Sequence, residues 1–322
     1  MSGGAAAGAD WAPSATIETL RLRASVMADI RGYFAEAGVL EVETPLLARN
    51  GATDPHIHSL TTEYGGKRRY LQTSPEFAMK RLLAAGSGPI YQICKAFRDD
   101  PLSPHHVPEF TMLEWYRPGF TLLDLMQDVG YLLRRLAPGV PQASATYHDV
   151  FCAALRLDPH AASNGQLRKA AMDQAHVEPG LAASLTRPDL LDLLFGAVVQ
   201  PTLSGVVFVH DYPACQAALA QLTPDGVAAQ RFEVFVDGLE LANGYLELKD
   251  AREQRRRMHA DNAARHEYGY PRVDVDERLL TALAVGIGDV AGVALGVDRL
   301  LQALWRAESL AQVGAFGAEL SV

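Results

Sequence analysis

Apolar residues recur at helical spacing through Ile17, Leu20, Val26, Met27, Ile30 and Phe34, with Arg21, Arg23, Asp29 and Arg31 on the other side. The spacing predicts an amphipathic helix over 16–36. Gly38 suits its end, and Val39-Leu40-Glu41-Val42-Glu43 then alternates like a strand until Thr44-Pro45. A polar stretch from Ala48 to Arg69, with Gly51, Asp54-Pro55 and Gly65-Gly66, reads as loop with a hairpin. Thr73-Ser74-Pro75-Glu76 then opens a helix. A hydroxyl can cap it, proline suits the first turn, and Glu76 sits where a helix N-terminus favours an anion, which is by itself a structural reason for that glutamate.

Two alternating segments, Ile90 to Arg98 and Phe110 to Tyr116, read as an antiparallel pair. The loop between them, Asp99 to Glu109, holds three prolines and two histidines and is long enough to fold over a ligand. A helix follows over 121–137, and short helices over 147–196 are separated by Asp158-Pro159, Ser163-Asn164-Gly165, Pro179-Gly180 and Arg187-Pro188. This helical insert, about 147–200, carries no recognisable chemistry. Strands over 206–210, 232–236, 239–248 and 291–297 and a closing helix complete the chain. Helices followed by antiparallel pairs indicate an α+β fold, one domain over 16–322 behind a flexible leader at 1–15.

Composition narrows the function. With 322 residues, 48% of them hydrophobic and 21% charged, the chain reads as globular. A formal net charge of −9 disfavours wholesale binding of a polyanion. The one dense basic run, Arg252, Arg255, Arg256 and Arg257, falls in a segment that reads as a solvated helix face. Three cysteines without a C-x-x-C spacing suggest neither a disulfide framework nor a zinc knuckle, and fit a reducing cytoplasm. There is no run of about 18 apolar residues and no basic leader ahead of one. His56-Ile57-His58 and His105-His106 lack a second cluster at zinc spacing, and Met112 with Trp115 reads as core.

The familiar phosphate, dinucleotide, hydrolase and zincin signatures are absent. What remains is a strand ending in Phe97-Arg98-Asp99-Asp100, an acidic strand running from Gly238 through Glu240, Leu241, Asn243 and Gly244 to Glu247, and Gly292 through Ala294 and Gly296 to Asp298-Arg299. Arg98 and Arg299 stand at strand ends, where guanidinium forks can hold phosphate oxygens, although each taken singly reads more readily as a surface ion-pair partner. Glu240 suits Mg²⁺, which often takes one or two carboxylates plus phosphates. Asn243, Tyr245 and Glu247 share a strand face by period two, whereas Glu240 has opposite parity, so a bulge near Asn243-Gly244 is needed to bring both carboxylates together. Gly292 and Gly296 would let a base or ribose approach the backbone.

These three pieces resemble a family. The segment from Arg23 to Pro45 looks like motif 1 of the class II aminoacyl-tRNA synthetases, Phe97-Arg98 through His106 to Phe110 like motif 2, and Gly292 to Arg299 like motif 3. Thr73-Ser74-Pro75-Glu76, Pro108 to Tyr116 and Glu240 to Gly244 resemble the lysyl-tRNA synthetase branch, most closely its short paralogues that acylate elongation factor P. The resemblance covers about residues 14–322. Motif 1 begins near residue 20, which leaves no space before it for an anticodon-binding OB-fold, and the acidic balance agrees with a substrate other than tRNA.

The resemblance implies a class II catalytic fold, an antiparallel sheet flanked by helices, dimeric through motif 1. It implies that lysine or (R)-β-lysine is activated by ATP with Mg²⁺ as an acyl adenylate and transferred to a lysine of elongation factor P. Arg98, Asp99, Asp100, His106, Phe110, Glu240, Leu241, Gly296 and Arg299 would then form the ATP site, with Arg98 on the α-phosphate, His106 and Arg299 on the outer phosphates, Phe110 stacked on adenine and Glu240 holding Mg²⁺. Arg98, Glu240 and Arg299 would be catalytic. Ser74, Pro75, Glu76, Tyr116, Asn243 and Glu247 would receive the amino-acid substrate, the carboxylates taking its ammonium groups. Three departures stand out: Asp100 fills a usual glutamate position one methylene short, Val107 stands where the family usually has asparagine, and Ala294 replaces a motif 3 glycine of the tRNA-charging enzymes. Ala294 would reshape the amino-acid pocket toward a non-standard lysine isomer. A free-standing tRNA-charging enzyme and a catalytically silent lysine-binding regulator remain the alternatives.

Overall fold

A computed structural model describes residues 11–317. The chain opens with α1 (Ile17–Glu36), β1 (Leu40–Glu41), β2 (Leu47–Ala48), β3 (Thr61–Tyr64), β4 (Lys67–Leu71) and α2 (Glu76–Ala84). Strands β5 (Ile90–Phe97) and β6 (Glu109–Pro118) lead into α3 (Leu122–Leu136). Next come β7 (Gln142–Thr146), the short helices α4 (Tyr147–Leu155), α5 (Asn164–Gln174), α6 (Pro179–Ser184) and α7 (Arg187–Leu194), and strands β8 (Val206–Pro213), β9 (Ala228–Val236) and β10 (Leu239–Leu246). Helices α8 (Ala251–Glu267) and α9 (Glu277–Val285), strand β11 (Val290–Gly296) and helix α10 (Val297–Trp305) follow.

The strands form an eight-stranded sheet in the order β1-β5-β6-β11-β10-β9-β8-β7 and a three-stranded sheet, β2-β4-β3. An α+β architecture therefore holds, but the large sheet is mixed rather than antiparallel throughout. Strand β1 runs parallel to β5, and β7 parallel to β8. Each of these pairs is joined through helices, α2 in one case and α4–α7 in the other, and only so long a connection can return the chain in the same direction. Two compact units are distinguished: Met1–Trp115 with Ala251–Ile287 and Ala294–Val322, and Tyr116–Asp250 with Gly288–Val293. Of the leader expected to be flexible, 1–10 lie outside the described residues. Ser14 donates its backbone N–H to Ala315 O at 2.9 Å, and Ala15 is buried.

In the first unit, the Thr16 hydroxyl caps α1 by accepting from Thr19 N at 3.1 Å, and Ile30 and Phe34 carry its buried face. Phe34 stacks on Tyr91 of β5 at 4.3 Å and meets Trp115 of β6 edge-on at 5.4 Å. The hairpin β3–β4 turns at Gly65-Gly66, whose φ values of 61° and 69° supply the left-handed pair that a two-residue hairpin loop requires. Helix α8 is tied down by polar contacts: Asn262 exchanges two bonds of 2.9 Å with the Val273 backbone, and Thr53 donates to Asp261 at 2.8 Å. The basic run on α8 is not merely solvated. Arg255 forks onto Glu277 through two bonds of 2.6 Å, and Arg256 and Arg257 both bond Glu253.

Burial pushes the Asp261 carboxyl up from 3.8 to about 6, with Asp54 acting the same way and Thr53, Arg257 and Arg265 opposing. Because the folded value lies above the unfolded one, this group's contribution to stability is complete below about 3.8 and is lost as pH rises through about 6. Asp261→Asn is therefore expected to flatten the decline of unfolding free energy across that window, read by urea titration at several pH values. An unchanged slope would take Asp261 out of the balance.

In the second unit, hydroxyl caps start the helices. Thr121, Thr146, Ser163 and Thr186 cap α3, α4, α5 and α7, and Asp124, Gln166 and Asp189 complete capping boxes on three of them. Tyr147 stacks on Phe151 and Phe195 at 5.5 and 4.9 Å, and this cluster includes Val207, Val209 and Phe235. The helical insert thus buries its apolar side against one face of β8 and β9. Asp237 and Gly238, at φ 48° and 79°, turn β9 into β10.

Candidate active site

The first unit holds a polar cluster at the start of α2. Ser74 Oγ donates to Glu114 Oε2 at 2.7 Å and accepts from Glu76 N at 3.0 Å, so the serine caps the helix from one residue before Pro75 while fixing a fully buried carboxylate. Glu76 Oε1 accepts from Lys80 Nζ at 2.5 Å, an i,i+4 pair whose lysine is 1% exposed. Glu76 is thus held by a buried cation within its own helix.

Arg98 follows β5. Its backbone N–H donates to Pro108 O at 3.0 Å, closing the loop between β5 and β6, and its guanidinium stands 5.3 Å from the Phe110 ring centroid. The Arg98 Nε is buried with no hydrogen-bond partner among the described residues. An unpartnered buried N–H on a cation is costly unless an acceptor arrives, so the orphan suits an anionic ligand. Asp99 donates its backbone N–H to His58 O at 2.9 Å. Asp100 is half-buried, Asp99 exposed.

Arg299, in the first turn of α10, donates from Nε to His105 O at 3.2 Å and from Nη2 to His106 Nε2 at 2.8 Å. A guanidinium can only donate, so in this arrangement His106 Nε2 accepts and its Nδ1–H points at Ser103 Oγ, 2.9 Å away. His106 therefore orients Arg299. Beside Arg299, Asp298 accepts from Thr111 N at 2.6 Å and pairs with Arg23 Nη1 at 2.6 Å, and Arg23 Nη2 donates to Thr111 Oγ1 at 2.8 Å. Arg23 was expected on the outer face of α1. Its long side chain instead runs inward, covering its stem while its fork reaches a buried acid.

The second unit supplies the acidic strand β10. A register shift between Glu240 and Ala242 leaves Leu241 as an extra residue, with Glu240 opposite Phe235, Ala242 opposite Val234, Asn243 opposite Glu233 and Tyr245 opposite Arg231. The bulge lies earlier than the expected Asn243-Gly244. It still does what the parity argument requires: partners across a ladder share a face, so Glu240, Asn243, Tyr245 and, by period two, Glu247 lie on one side. Gly244 stays on the other, where a Cβ would meet Phe232 at 2.5 Å.

Asn243 Oδ1 is buried with no hydrogen-bond partner among the described residues, Glu247 is 1% exposed, and Tyr116 is 2% exposed. Across the ladder, Arg231 bonds Glu233, the Tyr212 hydroxyl donates to Glu233 at 2.7 Å, and Arg231 Nη1 donates to Gln216 O at 2.7 Å. Gln216 in turn donates to Asp192 of α7 at 2.5 Å, which links the helical insert to the floor of this strand. Burial pushes the Glu233 carboxyl up to about 7, with Glu240 acting the same way and Arg231 and Tyr212 opposing.

The family model for class II tRNA synthetases (D, K and N) matches residues 9–319. Elongation factor P–(R)-β-lysine ligases of Salmonella typhi, Salmonella paratyphi B and Salmonella heidelberg are each 46% identical over 319 residues, covering 96% of this chain and 97% of each relative. The chain belongs to the class II tRNA synthetase family.

The segments that resemble class II motifs lie on α1–β1, on β5 and β6 with their loop, and on β11–α10. The triad Arg23, Thr111 and Asp298 joins all three, one residue from Phe110 and one from Arg299. Three partners escaped the sequence reading. Glu114 is legible by period two, lying between Phe110 and Tyr116 on one face of β6, whereas Lys80 and Arg23 gave no signal because long cations on a helix read as solvent-facing. The histidines read as loop residues do pack locally: His56 lies 5.9 Å from the Tyr268 ring and His58 4.5 Å from Tyr270. No group of three or more His, Cys, Asp or Glu placed to hold a metal occurs among the described residues. Among them also, no helix is long and apolar enough to cross a membrane.

Gly292 was expected to let a base or ribose approach the backbone, and the structure shows what crowds it. A Cβ there would stand 2.3 Å from Tyr116 Cε1 and 2.5 Å from Glu247 Oε1, so the glycine makes room for those two side chains. Gly292→Ala is expected to displace both and to lower kcat/KM for the amino-acid substrate by about 10²-fold, leaving KM for ATP nearly unchanged. Equal effects on both substrates would show a collapsed fold rather than a shifted pocket.

Proposed function

We propose that this chain activates (R)-β-lysine or lysine with ATP as an acyl adenylate and transfers it to a lysine side chain of elongation factor P. The observation that carries this is the 46% identity extending over 97% of the length of relatives that bear that name. The buried carboxylates support it. Glu247 and Glu114 are each 1% exposed, and buried carboxylates of this kind suit the ammonium groups of a diammonium substrate better than a neutral or acidic one.

In the first step the substrate carboxylate oxygen attacks the α-phosphorus and pyrophosphate leaves. In the second, the amine of the target lysine attacks the acyl carbon, AMP leaves, and an amide forms with loss of a proton. Arg98 holds the α-phosphate with its orphan Nε and fork, Arg299 the outer phosphates, steadied by His106, and Phe110 stacks on adenine, with Asp99, Asp100, Leu241 and Gly296 completing the nucleotide site. Ser74, Pro75, Glu76, Tyr116, Asn243 and Glu247 receive the amino acid. Glu76 already holds Lys80, so its contribution is shared. Glu240 would hold Mg²⁺, which when bound screens the phosphate charge. The work is positioning and charge stabilisation. Ala294 lies two residues along β11 from Gly292 on the same strand face, and its methyl biases the pocket toward the β-isomer. A homodimer through α1 and β1 and a cytoplasmic location complete the proposal.

ATP–pyrophosphate exchange with L-lysine and (R)-β-lysine tests the first step. Exchange is expected with both and faster with the β-isomer. No exchange with either would remove the adenylate chemistry.

A further inference from the structure

The cations that the sequence marks are neutralised, because Arg255, Arg256 and Arg257 are paired with Glu277 and Glu253. Three others, Arg68, Arg265 and Arg272, form no ion pair among the described residues, although Glu63 stands opposite Arg68 across the β3–β4 ladder. They line one cavity of about 60 Å³ in the first unit. By the measure in which one water needs about 10–15 Å³, that holds about four waters, or one tetrahedral oxyanion. Ser59 and Tyr70 share the lining, which includes no carboxylate.

The cavity is assembled from two elements. Arg68 and Tyr70 alternate on β4 and so face the same way, while Arg265 and Arg272 flank the exit of α8. Arg265 is 4% exposed, and its Nε and Nη1 donate to Pro271 O and Asp54 O, both at 3.0 Å. Carbonyls fix the guanidinium in place, and Asp261 feels its charge without bonding to it, so an anion in the cavity would complete the compensation of a buried cation. The acid one helical turn away, Asp261, accepts from Thr53 at 2.8 Å and does not line the cavity. Ser59 Oγ is buried with no hydrogen-bond partner among the described residues, a donor in want of an acceptor. Three guanidinium groups, an idle hydroxyl and no carboxylate are the complement of a phosphate group.

We propose that Arg68, Arg265, Arg272 and Ser59 bind a phosphate-class oxyanion at a site distinct from the one around Arg98 and Arg299. The ligand is free phosphate or pyrophosphate, or a phosphodiester of a larger molecule, since all present the same oxygens. The assignment stands on these residues alone and does not depend on the reaction proposed above.

The test is equilibrium dialysis of the full chain against radiolabelled inorganic phosphate, with a saturating non-hydrolysable ATP analogue occupying the Arg98 and Arg299 groups. One phosphate per chain is expected, displaced by excess pyrophosphate. A short oligonucleotide that displaces it better than pyrophosphate assigns the site to a phosphodiester, and one that fails to compete assigns it to the free anion. Arg68 and Arg272 are exposed, so Arg68→Gln with Arg272→Gln should fold, leave ATP–pyrophosphate exchange unchanged and weaken phosphate binding by about tenfold or more. Wild-type chain that binds no phosphate beside the ATP analogue, or a double variant that binds as well as wild type, overturns the proposal.

Discussion

Arg98→Ala is expected to lower amino-acid-dependent ATP–pyrophosphate exchange by about 10²–10³-fold with the fold intact. The backbone of residue 98 closes the loop by bonding Pro108 O, and alanine keeps that bond. What is lost is the guanidinium, held beside the Phe110 ring at 5.3 Å with its buried Nε unpartnered. On the proposed reading phosphate oxygens complete this side chain, so its contribution falls mainly in the transition state, where charge on those oxygens is redistributed. Arg98→Lys is expected to recover little, because an ammonium supplies a point charge and no planar fork. Exchange near the wild-type rate in either variant would place the phosphate elsewhere.

The second large effect is on stability. Asp298→Ala is expected to reduce the unfolding free energy by about 3–5 kcal/mol, because it leaves the Arg23 guanidinium and the Thr111 N–H in a mostly buried place without their acceptor. Arg23 and Asp298 side chains are 19% and 13% exposed, so water restores only part of the loss. In a double-mutant cycle, Arg23→Met combined with Asp298→Ala should be less damaging than the sum of the single changes, since the second removes the charge stranded by the first. Because Thr111 neighbours Phe110 and Asp298 neighbours Arg299, the Asp298 variant should also raise KM for ATP at temperatures where it remains folded. Additive effects in the cycle would mean that the three motifs are not joined through this triad.

Much of this was legible from period and punctuation. The helix over 16–36, the hairpin at Gly65-Gly66, the short capped helices after Tyr147 and the turn at Asp237-Gly238 follow from local chemistry that acts within a few residues. The two parallel strand pairs did not follow, because direction depends on which strand a returning chain meets, and β7 is an edge strand, Gln-Ala-Ser-Ala-Thr, whose alternation is carried by alanines alone. Within the site, Arg98, Glu240, Glu247 and Arg299 could be picked out as residue types at strand ends and on an acidic strand. Their surroundings could not: Arg23 and Tyr212 act through partners distant in sequence, Lys80 pairs with Glu76 one turn away on α2, and long cationic side chains read as exposed until a fold gives them something to reach. The bulge was deducible in kind, from the parity of Glu240 against Glu247, but its position at Leu241 depends on the pairing with β9.

The central claim is acyl transfer to a protein. It is tested most directly by incubating the chain with ATP, Mg²⁺ and (R)-β-lysine together with purified elongation factor P and, separately, with a tRNA pool, followed by intact-mass measurement of each. The account predicts that elongation factor P gains one lysyl unit on a lysine side chain and that tRNA gains none. Aminoacylated tRNA with unmodified elongation factor P would contradict it.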